Sequence, residues 1–86
     1  MKYFVYLLIT KTNDQSISYV GFTSDLKQRV KLHNQGKGAK FTRGRKWILA
    51  YKKCYKTKSE ALKNEYLLKK NYKKRFEIKN KFLLNK

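Results

Sequence analysis

The longest apolar run of the chain, Phe4-Val5-Tyr6-Leu7-Leu8-Ile9, constrains the fold more than any other feature. It is rich in β-formers and apolar at successive positions, so it reads as a strand over 3–9 buried on both faces. It is too short to span a bilayer, and no small-residue cleavage site follows it. The rest of the chain must therefore cover it, and there is little chain to do so. With 86 residues we expect one domain, burying about 60–65% of its unfolded surface. Hydrophobic content of 41%, with 15% aromatic, is enough to support that core.

What surrounds the run is strongly basic. Lys and Arg total 23 against 5 acids, a formal charge of +18. An AT-rich coding sequence accounts for Lys outnumbering Arg, but not for the scarcity of Glu. The sign of the charge points to a polyanion, nucleic acid first and a membrane surface second. The lone Cys54 excludes an internal disulfide and a zinc knuckle, and suggests a reducing, cytoplasmic setting.

Further along, Thr10 to Ser16 holds the turn formers Asn13 and Asp14, and Ile17 to Thr23 reads as a second strand. The pair suggests an antiparallel hairpin with a loop rather than a tight two-residue turn. Ser24 offers an N-cap, with Asp25 in the first turn of a helix whose stripe is Leu26, Val30 and His33. Gly36 and Gly38 stop it. Residues 35–46 form a basic, glycine-containing loop, and Trp47 to Tyr55 is a third strand. Thr57 and Glu60 fit a capping box for a helix over 58–71 with a stripe of Ala61, Leu62, Leu68 and Tyr72. A last, Lys-rich helix over 73–84 would dock through Phe76, Phe82 and Leu83. The expected fold is α+β: a small three-stranded antiparallel sheet flanked by helices, in the order β-β-α-β-α-α, with the helices on one face.

Four groups of residues break their local pattern. Glu65 lies between Leu62 and Leu68 on the apolar helix face, either as a rim partner of Lys69 or as a functional carboxylate. Arg29 and His33 are neighbours one helical turn apart. They are either a solvated face with a packed histidine or two groups sharing a phosphate. Tyr6 and Tyr19 lie on adjacent strands, where they either pack together or present hydroxyls at a sheet edge or cleft. The loop Gly36 to Lys46 carries Lys37, Lys40, Thr42, Arg43 and Arg45. It reads either as a mobile basic loop or as one whose glycines let the backbone approach a ligand.

Taken in order, these segments resemble the GIY-YIG endonuclease domain, and most closely its short stand-alone bacterial form. The matching segments are Phe4-Val5-Tyr6-Leu7-Leu8, Tyr19-Val20-Gly21, Asp25 to Arg29, His33-Asn34, the loop GKGAKFTRGR and Ser59 to Glu65. The resemblance covers about residues 3–78. Phe4 stands where the first signature has Gly, and Val20 where the second has Ile. The resemblance implies a metal-dependent DNA phosphodiesterase with Tyr6, Tyr19, Arg29, His33 and Glu65 as its catalytic set. It also implies that Glu65 is the ligand of a single Mg²⁺ or Mn²⁺. With Mg²⁺ held by one carboxylate, the chemistry would make Tyr6 the general base, its pKa lowered by metal and cations. Lys37, Lys40, Thr42, Arg43 and Arg45 would hold flanking phosphates, and Tyr3, Phe41 and Trp47 are candidates to stack on unpaired bases. Low sequence specificity and a preference for nicked or branched DNA, in repair or recombination, are the further expectations. The other function class is a non-catalytic DNA- or RNA-binding module. Membrane binding through the last helix is the weakest reading.

Overall fold

The computed structural model describes residues 2–12 and 15–84. Strands β1 (Tyr3–Thr12), β2 (Gln15–Thr23) and β3 (Ile48–Tyr55) form an antiparallel sheet in the order β2-β1-β3. Helices α1 (Leu26–Asn34), α2 (Lys58–Lys70) and α3 (Tyr72–Leu84) complete the expected order. The apolar run takes the central strand, where both edges are paired. Pairing along the hairpin continues to Thr12 and Gln15, so the connection is two residues rather than the longer loop expected. Those residues, Asn13 and Asp14, lie outside the described residues, as does the turn placed on them.

The helices do not share one face of the sheet. Val5, Leu7 and Ile9 point to one side and pack with Val20, Ala61 and Leu68 beneath α2, with Ile78 and Phe82 of α3 against them. Tyr6 and Leu8 point to the other, with Trp47, Tyr19, Leu49 and the α1 residues Leu26 and Val30. The expectation of helices on one face fails for a simple reason. Side chains alternate along a strand, so a strand apolar at every position needs cover on both sides. Burying each of its large aliphatic side chains contributes roughly 1.5–3 kcal/mol, and β1 supplies four of them.

Local chemistry sets the helix ends. Asp25, not Ser24, caps α1, with its side chain accepting from the Gln28 amide at 3.2 Å. At α2 the Thr57 hydroxyl accepts from the Glu60 amide at 3.1 Å and lies 3.0 Å from the Glu60 carboxylate, to which it donates. Leu62, Tyr72 and Phe76 are exposed rather than docked, and α3 is held by Ile78 and Phe82.

Candidate active site on the edge of strand β2

Tyr6 begins on the central strand, and its ring lies over Gly21 of β2. A Cβ on Gly21 would stand 2.5 Å from Tyr6 Oη and 2.7 Å from Cζ. The missing side chain is what makes room for the phenol. Tyr6 is only 1% exposed, so its hydroxyl is not the open edge group considered above. Instead it donates to His33 Nε2 at 2.8 Å.

His33 is fully buried, and its surroundings assign its tautomer. Thr42 Oγ1 donates its one proton to the Ala39 carbonyl at 2.9 Å. It therefore accepts from His33 Nδ1, 2.9 Å away, which leaves Nε2 free to accept from Tyr6. Thr42 was expected among the phosphate contacts. It is 0% exposed and cannot touch a nucleic acid with its side chain. Gly38 is likewise diverted from a ligand, since a Cβ there would collide with the His33 ring.

The basic loop is a built cover over His33. Asn34 Nδ2 donates to the Trp47 carbonyl at 3.1 Å, and the Trp47 amide donates back to Asn34 Oδ1 at 2.6 Å. Trp47 Nε1 donates to the Thr42 carbonyl at 2.9 Å. Trp47 is thus 3% exposed and unable to stack on a base. Tyr3 packs on the α2 side of the sheet. Phe41, by contrast, is 53% exposed. It stacks on Tyr19 at 6.1 Å, with the Arg45 guanidinium 5.6 Å above its own ring. Lys37, Lys40 and Arg43 are exposed on the loop surface, and Arg45 is half-buried.

Arg29, one turn before His33, has a buried Nε without a hydrogen-bond partner. Burial pushes the Tyr6 phenol above its ordinary value, and Arg29 works against that rise. The lowered Tyr6 pKa expected above is therefore not what the protein alone produces. His33 is pushed below its ordinary value by burial first and by Arg29 second. Glu65 on α2 is near enough for its charge to raise Tyr6 slightly, and it pairs with Lys69 Nζ at 3.7 Å.

The sign of the His33 shift gives a pH prediction. The folded pKa lies below the unfolded value of about 6.5, so the unfolded chain binds the extra proton first. The stabilisation is complete above that value and is lost as pH falls through it towards the folded pKa. Arg29, Tyr6, Tyr19 and Thr42 face the ring, and none supplies a negative charge to reverse the effect. Urea midpoints measured from about pH 8 to about pH 5 should fall, and a His33→Gln variant should flatten that part of the curve.

Two clefts flank Tyr6 along β2. Phe22, Thr23, Ser24, Arg29 and Lys58 border one. Ser18, Tyr19, Val20, Lys69 and Arg75 border the other. Helix α2 thus carries Lys58 and Lys69 at its two ends with Glu65 between them. The eleven-residue interval spans about 16 Å at about 1.5 Å per residue. That is about five nucleotides of a strand at about 3.4 Å each. The roles of Gly21, Asn34 and Arg75 were not assigned from the sequence, and Gly38, read there as a helix stop, instead makes room for the His33 ring. Only the Tyr19-Val20-Gly21 and His33-Asn34 segments carried a signal, and that signal came through the resemblance.

A basic α+β domain that gathers a tyrosine–histidine pair, an arginine and one carboxylate along a sheet edge is equipped for phosphodiester chemistry. The model of the GIY-YIG catalytic domain matches residues 2–80, and the chain belongs to that family of nuclease-type domains, whose nucleases act on DNA. A UPF0213 protein of Staphylococcus epidermidis is 52% identical over 69 residues, covering 79% of this chain and 80% of the relative. One from Bacillus velezensis is 43% identical over 76 residues, covering 87% and 74%. The solution NMR structure of a UPF0213 protein from Bacillus halodurans is 35% identical, with a TM-score of 0.49, covering 90% of this chain and 80% of that one. Among the described residues, no helix is long and apolar enough to cross a membrane.

Proposed function

We propose that this chain is a metal-dependent DNA endonuclease of low sequence specificity, directed to nicked or branched DNA in repair or recombination. The observation that carries the proposal is the Thr42–His33–Tyr6 hydrogen-bond chain beside Arg29, with Glu65 on the same edge. In phosphodiester hydrolysis a water oxygen bonds to phosphorus, a P–O ester bond breaks, and a proton must leave the water. Tyr6 is proposed to take that proton while passing its own to His33 Nε2, which is neutral and already accepting. Thr42 holds the ring in the tautomer this requires. Tyr19, lining the open cleft, orients the water, and Arg29 supplies charge-assisted hydrogen bonds to a non-bridging oxygen.

The cation is proposed to sit at Glu65. Among the described residues no three His, Cys, Asp or Glu groups converge, so one carboxylate would hold it, with water and substrate as the other ligands. Mg²⁺ tolerates such a site, and Mn²⁺ suits the same oxygen donors. When bound, it neutralises charge on the phosphate and on the leaving oxygen. Lys37, Lys40, Arg43 and Arg45 hold flanking backbone and carry no sequence information.

The Glu65–Lys69 ion pair favours a second reading, a non-catalytic module that binds DNA or RNA on the same surface. The two readings separate in a single assay. The chain is incubated with intact, nicked and branched duplexes, with Mg²⁺ or with chelator, across a salt series. The nuclease reading expects cuts in Mg²⁺ alone and binding that weakens steeply with salt. Salt-sensitive binding without any cut in Mg²⁺ or Mn²⁺ leaves the binding module standing.

A further inference from the structure

The cleft of Ser18, Tyr19, Val20, Lys69 and Arg75 opens towards a surface that the catalytic proposal does not use. Arg75 is tied down by Nε, which donates to the Leu68 carbonyl at 3.2 Å, and its guanidinium carbon lies 5.6 Å from the Tyr72 ring centroid. Tyr72 stacks on Phe76 at 6.1 Å with 22° between the planes, and Lys79 Nζ is 5.7 Å from the Phe76 centroid. The two rings are exposed, 67% and 45%, and neither belongs to the core. Large aromatic side chains contribute little to folding at that exposure. A pair of parallel rings with a cation beside each is the arrangement that grips a strand with free bases: bases stack on the rings and phosphates meet the cations. It lies beyond Lys69, at the end of the edge that carries Tyr19, Tyr6 and Glu65. Phe41 and Arg45 repeat the combination on the other flank of Tyr19.

We propose that Tyr72 and Phe76, with Lys69, Arg75 and Lys79, form a subsite for an unpaired strand of nucleic acid leaving the β2 edge. Among the substrates proposed above, the subsite would favour DNA carrying a single-stranded arm or gap beside the scissile bond over intact duplex. This rests on the nuclease reading only for its meaning, since the binding it asserts is measured without cleavage. Charge and ring geometry favour a nucleic acid over a lipid surface. Each ring is paired with a cation, an arrangement that suits alternating bases and phosphates.

The test is a Tyr72→Ala/Phe76→Ala variant, measured in chelator by fluorescence anisotropy against labelled oligodeoxythymidylate, a blunt duplex, and a duplex with a single-stranded arm. Neither ring is in the core, so the variant should keep the wild-type circular dichroism and melting midpoint. Expected is a loss of about tenfold or more in affinity for the single strand and the armed duplex. The blunt duplex should change less than about twofold, and a Tyr72→Phe variant should bind as wild type. Equal weakening on all three probes, or no weakening, overturns the proposal. So does loss of anionic-vesicle co-sedimentation with single-strand binding untouched. Selective loss of single-strand binding in a chain that never cuts would uphold the subsite and fail only the nuclease reading.

Discussion

Replacement of Glu65 by alanine is expected to lower Mg²⁺-dependent DNA cleavage by about a thousandfold or more and to leave DNA binding intact. A cation at the scissile phosphate contributes several kcal/mol to charge stabilisation, and about 1.4 kcal/mol is a factor of ten. Among the described residues, Glu65 is the one carboxylate whose charge registers at Tyr6. No neighbouring acid is brought in to replace it among the described residues. Among the described residues it pairs with Lys69, an i,i+4 contact at 3.7 Å worth less than about 1 kcal/mol, so the melting midpoint should scarcely move. A second observable separates the catalytic role from a structural one. Removing a negative charge from a surface that receives phosphates should leave binding in chelator equal or tighter, and Glu65→Gln should behave the same way. Undiminished cutting by either variant would remove Glu65 from the mechanism. Weaker binding in chelator would make it a structural residue.

Gly21→Ala should destabilise the fold by about 2–3 kcal/mol and abolish cleavage together. The added methyl meets the hydroxyl end of Tyr6, and that end has nowhere to go. The ring is packed with Leu8 and Trp47, and its oxygen is bonded to a histidine that Thr42 and Gly38 hold in place. Overpacking of this kind costs about 1–3 kcal/mol, and breaking a buried hydrogen bond adds to it. In a domain of this size, 2 kcal/mol corresponds to a fall of about 8–16 °C in the melting midpoint. Calorimetry on Gly21→Ala, Tyr6→Val and the double variant tests the cause. The double variant should be less destabilised than the sum of the singles, because the ring that collides has been removed. It should remain inactive. Strict additivity would mean that Gly21 is required for some reason other than the passage of Tyr6.

The two predictions differ in how far their residues could be read in advance. Glu65 stood out from its helix because a carboxylate on an apolar stripe conflicts with its neighbours, and that conflict is local and periodic. Gly21 gave no such sign. Its importance comes from a ring projecting from the adjacent strand, and the register that brings Tyr6 opposite Gly21 is a property of two segments together. Thr42 shows the same limit in reverse. In a loop of lysines and arginines, a threonine reads as one more polar contact. Only the fold of the loop, pinned by Asn34 and Trp47, turns its hydroxyl inward onto His33. The burial that raises Tyr6 was not legible either, because part of its cover comes from Trp47 at the end of the loop.

The sequence by itself determined the elements and their order. The apolar run, the two caps and the glycine stops are short-range signals, and strand and helix form where they lie. It also determined the sign of the partner's charge, since 23 basic side chains act as a field wherever they are placed. Tertiary structure alone decided that the helices cover both faces of the sheet. It closed the loop as a lid over His33 and set Tyr6, His33 and Thr42 in one hydrogen-bonded line. It also laid Lys58, Glu65 and Lys69 along a single strand edge. These are contacts between residues far apart in the chain. Nothing in a local pattern specifies them, because they exist only once the central strand has chosen its neighbours.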